Sequence, residues 1–253
     1  LIKFRKIKFI GTKKLFSRGL DVYLDIFNKQ NIKYELGEDY LSIEGKLQPG
    51  QYILPGNISS QYITGLLFAL PLLDDDSVIR LNTELESKGY VDLSLEVLRE
   101  FGIEIVKEDN TYFIKGKQIY QPGLDEIIEG DYSNAAFLEA FNYLGGDVKI
   151  SGLNEFSRQS DKSYLEFFPL LYKSHPTISL KNNIDLGPIL FVFASLFNGA
   201  IFTDIKRLRI KESDRIKDML SILELYGVKY ELSDNKLEIF KSELFPYLDV
   251  IHP

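Results

Sequence analysis

The chain has 253 residues, 45% hydrophobic and 26% charged, with a net charge of −7. It has no Cys and only two His, His175 and His252, which excludes disulfides, zinc–thiolate sites and cysteine nucleophiles and leaves little for a His-rich metal site or a Ser-His-Asp triad. The acidic balance argues against a general nucleic-acid binder. No apolar stretch is long enough to span a membrane, and the basic start (Lys3, Arg5, Lys6, Lys8) lacks the apolar core of a signal peptide, so a cytoplasmic location is expected.

In chain order, the pattern repeats. Residues 17–45 read as an amphipathic helix followed by a β-hairpin that turns at Gly37-Glu38-Asp39. Residues 58–73 read as a helical run, apolar nearly all round over 63–72, leading to a strand over 77–81. Residues 86–116 repeat the helix and hairpin, with the turn at Glu108-Asp109-Asn110. After a loop-like stretch from Gly116 to Gly123, a domain boundary is expected between Ile127 and Gly130. Residues 134–143 predict a helix that leads through Gly145-Gly146 to a strand over 148–151. Residues 158–180 are a looser helix-and-hairpin copy, disturbed by Pro169 and Pro176. Residues 187–197 form a second apolar helix, leading through Gly199 to a strand from Ile201. Residues 211–241 give the last helix and hairpin, turning at Ser233-Asp234-Asn235. The expected fold is α/β, built of compact units packed around buried apolar helices.

Five motifs stand at helix starts. Asn57-Ile-Ser-Ser-Gln61 offers Ser59 and Ser60 as caps and free backbone N–H groups for an anion, with Gln61 adding an amide; simple capping is the plainer reading of the motif alone. Glu86-Ser-Lys-Gly-Tyr90 gathers Ser87, Lys88 and Tyr90, which suit a phosphate or a solvated turn. Glu129-Gly-Asp-Tyr-Ser-Asn134 offers Asp131 and Ser133 as caps, or a site at a hinge. Asp185-Leu-Gly-Pro188 puts a carboxylate at the mouth of the most apolar helix, where burial and the helix dipole pull its pKa in opposite directions. Arg209-Ile-Lys-Glu-Ser-Asp-Arg215 groups Lys211, Glu212 and Arg215, a set suited to phosphate binding and proton transfer, or a charged helix start capped by Ser213 or Asp214.

In this order these motifs resemble the enolpyruvyl transferases, and specifically the EPSP synthase (3-phosphoshikimate 1-carboxyvinyltransferase) family of aromatic amino-acid biosynthesis. The similar segments are Ser59 to Gln61, ESKGYVD at 86–92, EGDYSNAAF at 129–137, DLGP at 185–188 and, most diagnostic, RIKESDRIKDM at 209–219. The resemblance implies an α/β fold of two similar domains, each built of βαβαββ units around buried parallel helices. It implies that both domains are incomplete here, with two repeat units each. Residues 1–128 would be the partial shikimate-3-phosphate side, and 129–253 the partial domain carrying the KESDR helix.

The implied reaction transfers the enolpyruvyl group of phosphoenolpyruvate to the 5-hydroxyl of shikimate 3-phosphate, with no cofactor and no metal. Ser59, Ser60, Gln61, Ser87 and Tyr90 resemble the shikimate 3-phosphate contacts, joined by Lys211. Asp185 resembles the acid at the 5-hydroxyl, Glu212 the proton-transfer partner at C3 of phosphoenolpyruvate, and Arg215 a clamp on the phosphate of phosphoenolpyruvate. Lys14 stands where the family often has an Arg, keeping the charge but not the bidentate fork. Arg207 stands where an Asn is often seen. Further family motifs would lie before Leu1 and after Pro253, so the isolated chain is expected to turn over poorly or not at all. Intact members are monomers, and apolar surface exposed here would favour self-association. Two alternatives stand beside this reading. One is the sister transferase acting on UDP-N-acetylglucosamine, against which the missing Cys counts. The other is a non-catalytic fragment that binds a phosphorylated ligand.

Overall fold

The computed structural model describes residues 5–17, 19–122, 127–211 and 213–244. The chain divides into two compact units, Leu1–Ile127 and Ile128–Pro253. Among the described residues, no helix is long and apolar enough to cross a membrane.

The first unit opens with β1 (Lys6–Ile10), the short α1 (Lys13–Phe16), α2 (Asp21–Lys29) and the hairpin β2 (Lys33–Leu36) and β3 (Tyr40–Glu44). These strands form an antiparallel sheet in the order β1-β3-β2, with Ile7 opposite Ile43 and Tyr34 opposite the same residue. A complete βαβαββ segment follows: β4 (Gln51–Leu54), α3 (Ser60–Ala69), β5 (Ser77–Leu81), α4 (Lys88–Glu100), β6 (Ile105–Glu108) and β7 (Thr111–Ile114). Its sheet order is β4-β5-β7-β6, with β4 parallel to β5 and the other pairings antiparallel. Alternation decides which face is inside. Tyr52 and Leu54, Ile79 and Leu81, and Tyr112 and Ile114 are buried, while the residues between them face outward. Ile63, Leu66 and Leu67 of α3 fill the same core.

The second unit contains α5 (Tyr132–Tyr143) and α6 (Tyr164–Lys173), then β8 (Thr177–Ser179), α7 (Gly187–Leu196), β9 (Ala200–Thr203), α8 (Arg215–Leu225), β10 (Tyr230–Leu232) and β11 (Lys236–Ile239). The sheet runs β8-β9-β11-β10, with β8 parallel to β9 and the rest antiparallel. This is the topology of the β4-to-β7 sheet repeated, in agreement with the repeat read from sequence. Helix α7 is buried nearly all round, as its composition predicts: Ile189, Leu190, Phe191, Phe193 and Ala194 all lie in the core. Pro188 sits in its first turn, where its missing N–H costs no hydrogen bond.

Two expectations fail in this unit. Residues 148–151 form no strand. The side-chain amide of Asn142 instead accepts from the Val148 N–H at 2.8 Å and donates to the Val148 carbonyl at 3.0 Å, satisfying the backbone that a neighbouring strand would otherwise pair. The looser copy at 158–180 has its helix, α6, with Pro169 inside it, but no hairpin. The few residues after α6 hold one short strand, β8, and this is claimed by parallel pairing with β9.

Candidate active site

Both units place their polar motifs in equivalent positions, in the loops that follow the two parallel strands. Such loops at the carboxyl ends of parallel strands are the usual ligand-binding edge of an α/β sheet. In the first unit the loop after β4 leads into α3. Ser59 has extended backbone, caps the helix and accepts from the Gln61 N–H at 3.3 Å. Ser60 is buried, and Gln61 is exposed at the first turn. The Tyr23 hydroxyl, from α2, donates towards the carbonyls of Gln61 and Tyr62 at 3.3 and 3.4 Å. Burial pushes the Tyr23 phenol up to about 12, so it stays a neutral donor at ordinary pH. Gly65 makes room for it, since a Cβ there would stand 2.2 Å from the Tyr23 hydroxyl.

The loop after β5 leads into α4. Ser87, just before it, is buried with left-handed backbone (φ 55°, ψ 42°), a conformation that costs a non-glycine residue about 1–2 kcal/mol. Strain of this kind persists only where the surroundings hold it. Tyr90 is half-buried one turn on, its N–H bonded to the Ser87 carbonyl at 3.2 Å.

The two loops are locked together. The Gly56 N–H donates to Thr83 Oγ1 at 2.8 Å, Thr83 Oγ1 donates to Asn57 Oδ1 at 3.0 Å, and the Glu86 N–H donates to the Gly56 carbonyl at 3.0 Å. A Cβ on Gly56 would lie 2.9 Å from the carbonyl oxygens of both Thr83 and Glu84. Gly56→Ala is therefore expected to part the loops and cost about 1–3 kcal/mol, as overpacking against backbone does. A melting temperature equal to that of the parent would refute this. Gly56 and Thr83 went unnoticed in the sequence, because partners more than twenty residues apart leave no local signal.

In the second unit Asp185 lies in a 3-10 turn (Ile184–Leu186) after β8, and Lys211 and Arg215 come after β9. These three side chains converge. Asp185 Oδ1 is 2.6 Å from Arg215 Nη1 and 3.7 Å from Lys211 Nζ, with the side chains 30%, 22% and 21% exposed. This is a partly dry carboxylate between two partly buried cations. Asp214 caps α8 by accepting from the Lys217 N–H at 3.1 Å and pairs with Arg209 at 3.5 Å, so capping and convergence coexist in one motif. Asp131 likewise caps α5 through the Ser133 N–H at 2.7 Å.

The structure thus groups Ser59, Ser60, Gln61, Ser87 and Tyr90 in one unit and Asp185, Lys211 and Arg215 in the other. Lys14 is exposed on α1, on a different element from the α3 and α4 loops. Glu212 lies outside the described residues.

Residues 3–247 match the model of EPSP synthase, 3-phosphoshikimate 1-carboxyvinyltransferase. The chain belongs to the EPSP synthase family. Similar relatives bearing the name 3-phosphoshikimate 1-carboxyvinyltransferase come from Clostridioides difficile strain 630, 40% identical over 92% of this chain and 57% of the relative, and from Clostridium acetobutylicum, 41% identical over 96% and 61%. The chain therefore spans about three fifths of the length of the curated relatives it matches. Among solved structures, EPSP synthase from Acinetobacter baumannii superposes with a TM-score of 0.68 at 18% identity, covering 95% of this chain and 60% of that one. The enolpyruvyl transferase NikO from Streptomyces tendae gives 0.60 at 11% identity, covering 94% and 60%. The fold is that of the enolpyruvyl transferases, as the sequence motifs imply.

Proposed function

We propose that this chain carries the shikimate 3-phosphate subsite and the Asp185 acid–base centre of an EPSP synthase. The observation that carries this reading is the convergence of Lys211 and Arg215 on Asp185, from the run most diagnostic of the family. In the proposed reaction the 5-hydroxyl oxygen of shikimate 3-phosphate attacks C2 of phosphoenolpyruvate while C3 takes a proton. The tetrahedral intermediate then loses a C3 proton and inorganic phosphate, which leaves the enolpyruvyl ether.

Ser59, Ser60, Gln61, Ser87 and Tyr90 hold shikimate 3-phosphate by hydroxyl, amide and backbone N–H donors. Lys211 adds a cation beside Asp185 in the second unit. Asp185 accepts the 5-hydroxyl proton, Glu212 serves C3, and Arg215 grips the phosphate of phosphoenolpyruvate. None of these roles calls on a metal or an organic cofactor. A cytoplasmic location belongs to the same reading. Support for shikimate 3-phosphate over UDP-N-acetylglucosamine comes from the family match.

Calorimetric titration of shikimate 3-phosphate into the chain tests the proposal. The parent is expected to bind, and Gln61→Ala to bind about tenfold more weakly, the worth of a hydrogen bond to a charged group. UDP-N-acetylglucosamine is expected not to compete. A parent chain that gives no binding heat at any temperature overturns the reading.

A further inference from the structure

The segment that carries Asp185 has little regular structure of its own. It runs from Leu180, just after β8, through the 3-10 turn to Gly187, where the Gly187 N–H bonds to the Ile184 carbonyl. The Asn183 N–H reaches the Leu180 carbonyl at 3.3 Å, and the Leu186 N–H reaches the Asn183 carbonyl at 3.1 Å. Apolar burial fixes its ends, since Leu180, Ile184 and Leu186 are all in the core. Burial is non-directional, however, and does not by itself set where a carboxylate points.

Asn183, at 8% exposure, and Arg207, at 7%, are both buried polar side chains. Each spans to a different element. The Asn183 side-chain amide donates to the Ser160 carbonyl, in the 3-10 turn before α6. That turn is anchored in its own right. Gln159, beside Ser160, accepts from the Tyr132 N–H at 2.9 Å and donates to Glu129 Oε1 at 2.8 Å and the Gly130 carbonyl at 3.0 Å. From the other side, Arg207 Nη1 donates to the Lys181 carbonyl at 3.4 Å. Arg207 stands in the turn Lys206–Ile210, which seats Leu208 against the start of α7. A Cβ on Gly187 would lie 3.2 and 3.3 Å from the Leu208 methyl carbons, so the two segments touch at backbone distance. The same turn ends at Lys211.

We propose that Asn183 and Arg207 are positioning residues that clamp the Asp185 segment from two sides and so set the carboxylate against Lys211 and Arg215. Asn183 fixes the segment to the α5–α6 side of the unit. Arg207 ties it to the strand-to-helix connection that carries the two cations. A buried guanidinium is costly to hold unless its donors are used, and here one donor is spent on the backbone of the Asp185 segment. Neither residue touches the substrate in this scheme. They act through Asp185, and the inference rests on the proposed role of that residue.

Two measurements on the same chain separate the clamp from the substrate reading. The first is amide hydrogen exchange without ligand. Asn183→Ser and Arg207→Met are each expected to raise exchange across residues 181–187 about tenfold or more, with β9 and β11 unchanged, as local opening does. The second is calorimetric affinity for shikimate 3-phosphate. It is expected to fall about tenfold in both variants, and Arg207→Lys is expected to recover most of the loss by restoring one donor. Unchanged exchange at 181–187 in both variants overturns the clamp. So does exchange that rises equally in β9 and β11, which would make these residues supports of the whole unit. An Arg207→Lys variant as weak as Arg207→Met, with loop exchange restored, overturns the positioning role. If the parent binds no shikimate 3-phosphate, the substrate reading fails, and exchange alone then decides the clamp.

Discussion

Phe193→Ala is expected to destabilise the second unit by about 3–5 kcal/mol, the range for truncating a fully buried Phe. Phe193 joins three helices. Its ring stacks on Phe168 of α6 at a centroid distance of 4.3 Å and an interplanar angle of 2°, meets Tyr143 of α5 edge-on at 5.2 Å, and lies 4.4 Å from Phe197 beyond α7. Removing the ring deletes those contacts and leaves a cavity walled by other rigid aromatics, which have few rotamers with which to fill it. A compact unit of this size has only about 5–15 kcal/mol of stability to lose, so the variant is expected near the edge of folding. Phe156→Ala is the control. Phe156 is 83% exposed, and its removal is expected to change stability by no more than about 0.5 kcal/mol. Urea denaturation followed by circular dichroism compares the two. Equal shifts in midpoint would mean that the aromatic cluster does not hold the unit together.

The same residues show why the fold was legible in the sequence. Helix α7 needs no periodicity to be recognised as central. A ten-residue run with no charge can be satisfied only by burial on all sides, and the structure buries it. The three helix-and-hairpin copies were equally plain, because alternation over 230–232 and 236–239 around a polar turn has one sensible pairing. The strand expected at 148–151 failed for a reason that local pattern cannot contain. A strand needs a neighbour, and the Asn142 side chain, six residues back, supplied the hydrogen bonds instead. The hairpin expected before residue 180 failed similarly, when β9, more than twenty residues ahead, took β8 as its parallel partner.

The site was legible in its residue types and less so in its geometry. The carboxylate of Asp185 and the cations of Lys211 and Arg215 stand out as chemistry at helix starts. That they converge on one oxygen depends on the parallel pairing of β8 and β9, which brings the two following loops to the same edge. Gly56, Thr83 and Asn183 left no signal, and Arg207 stood out only as a departure from the family's pattern, since each acts on backbone far away in sequence. Physical reading of a sequence finds groups that do chemistry more readily than groups that hold them in place, because holding is a long-range property.

Convergence on one carboxylate oxygen leads to a prediction with opposite signs for two neighbouring substitutions. Arg215 Nη1 and Lys211 Nζ both face Asp185 Oδ1, so in the ligand-free site the carboxylate competes with any incoming phosphate for the same cations. Arg215→Ala removes a charge-assisted donor and is expected to weaken binding of inorganic phosphate or phosphoenolpyruvate by about ten- to a hundredfold. Asp185→Asn keeps the shape, removes one competing charge and leaves both cations in place. It is expected to tighten binding of inorganic phosphate by about three- to tenfold, a modest gain because the pair is partly exposed and screened. Raising the ionic strength is expected to erode the gain, as it does for any exposed charge pair. Titration calorimetry at two salt concentrations reads these effects. Weaker anion binding in both variants would show that Asp185 holds the cations in place for the anion.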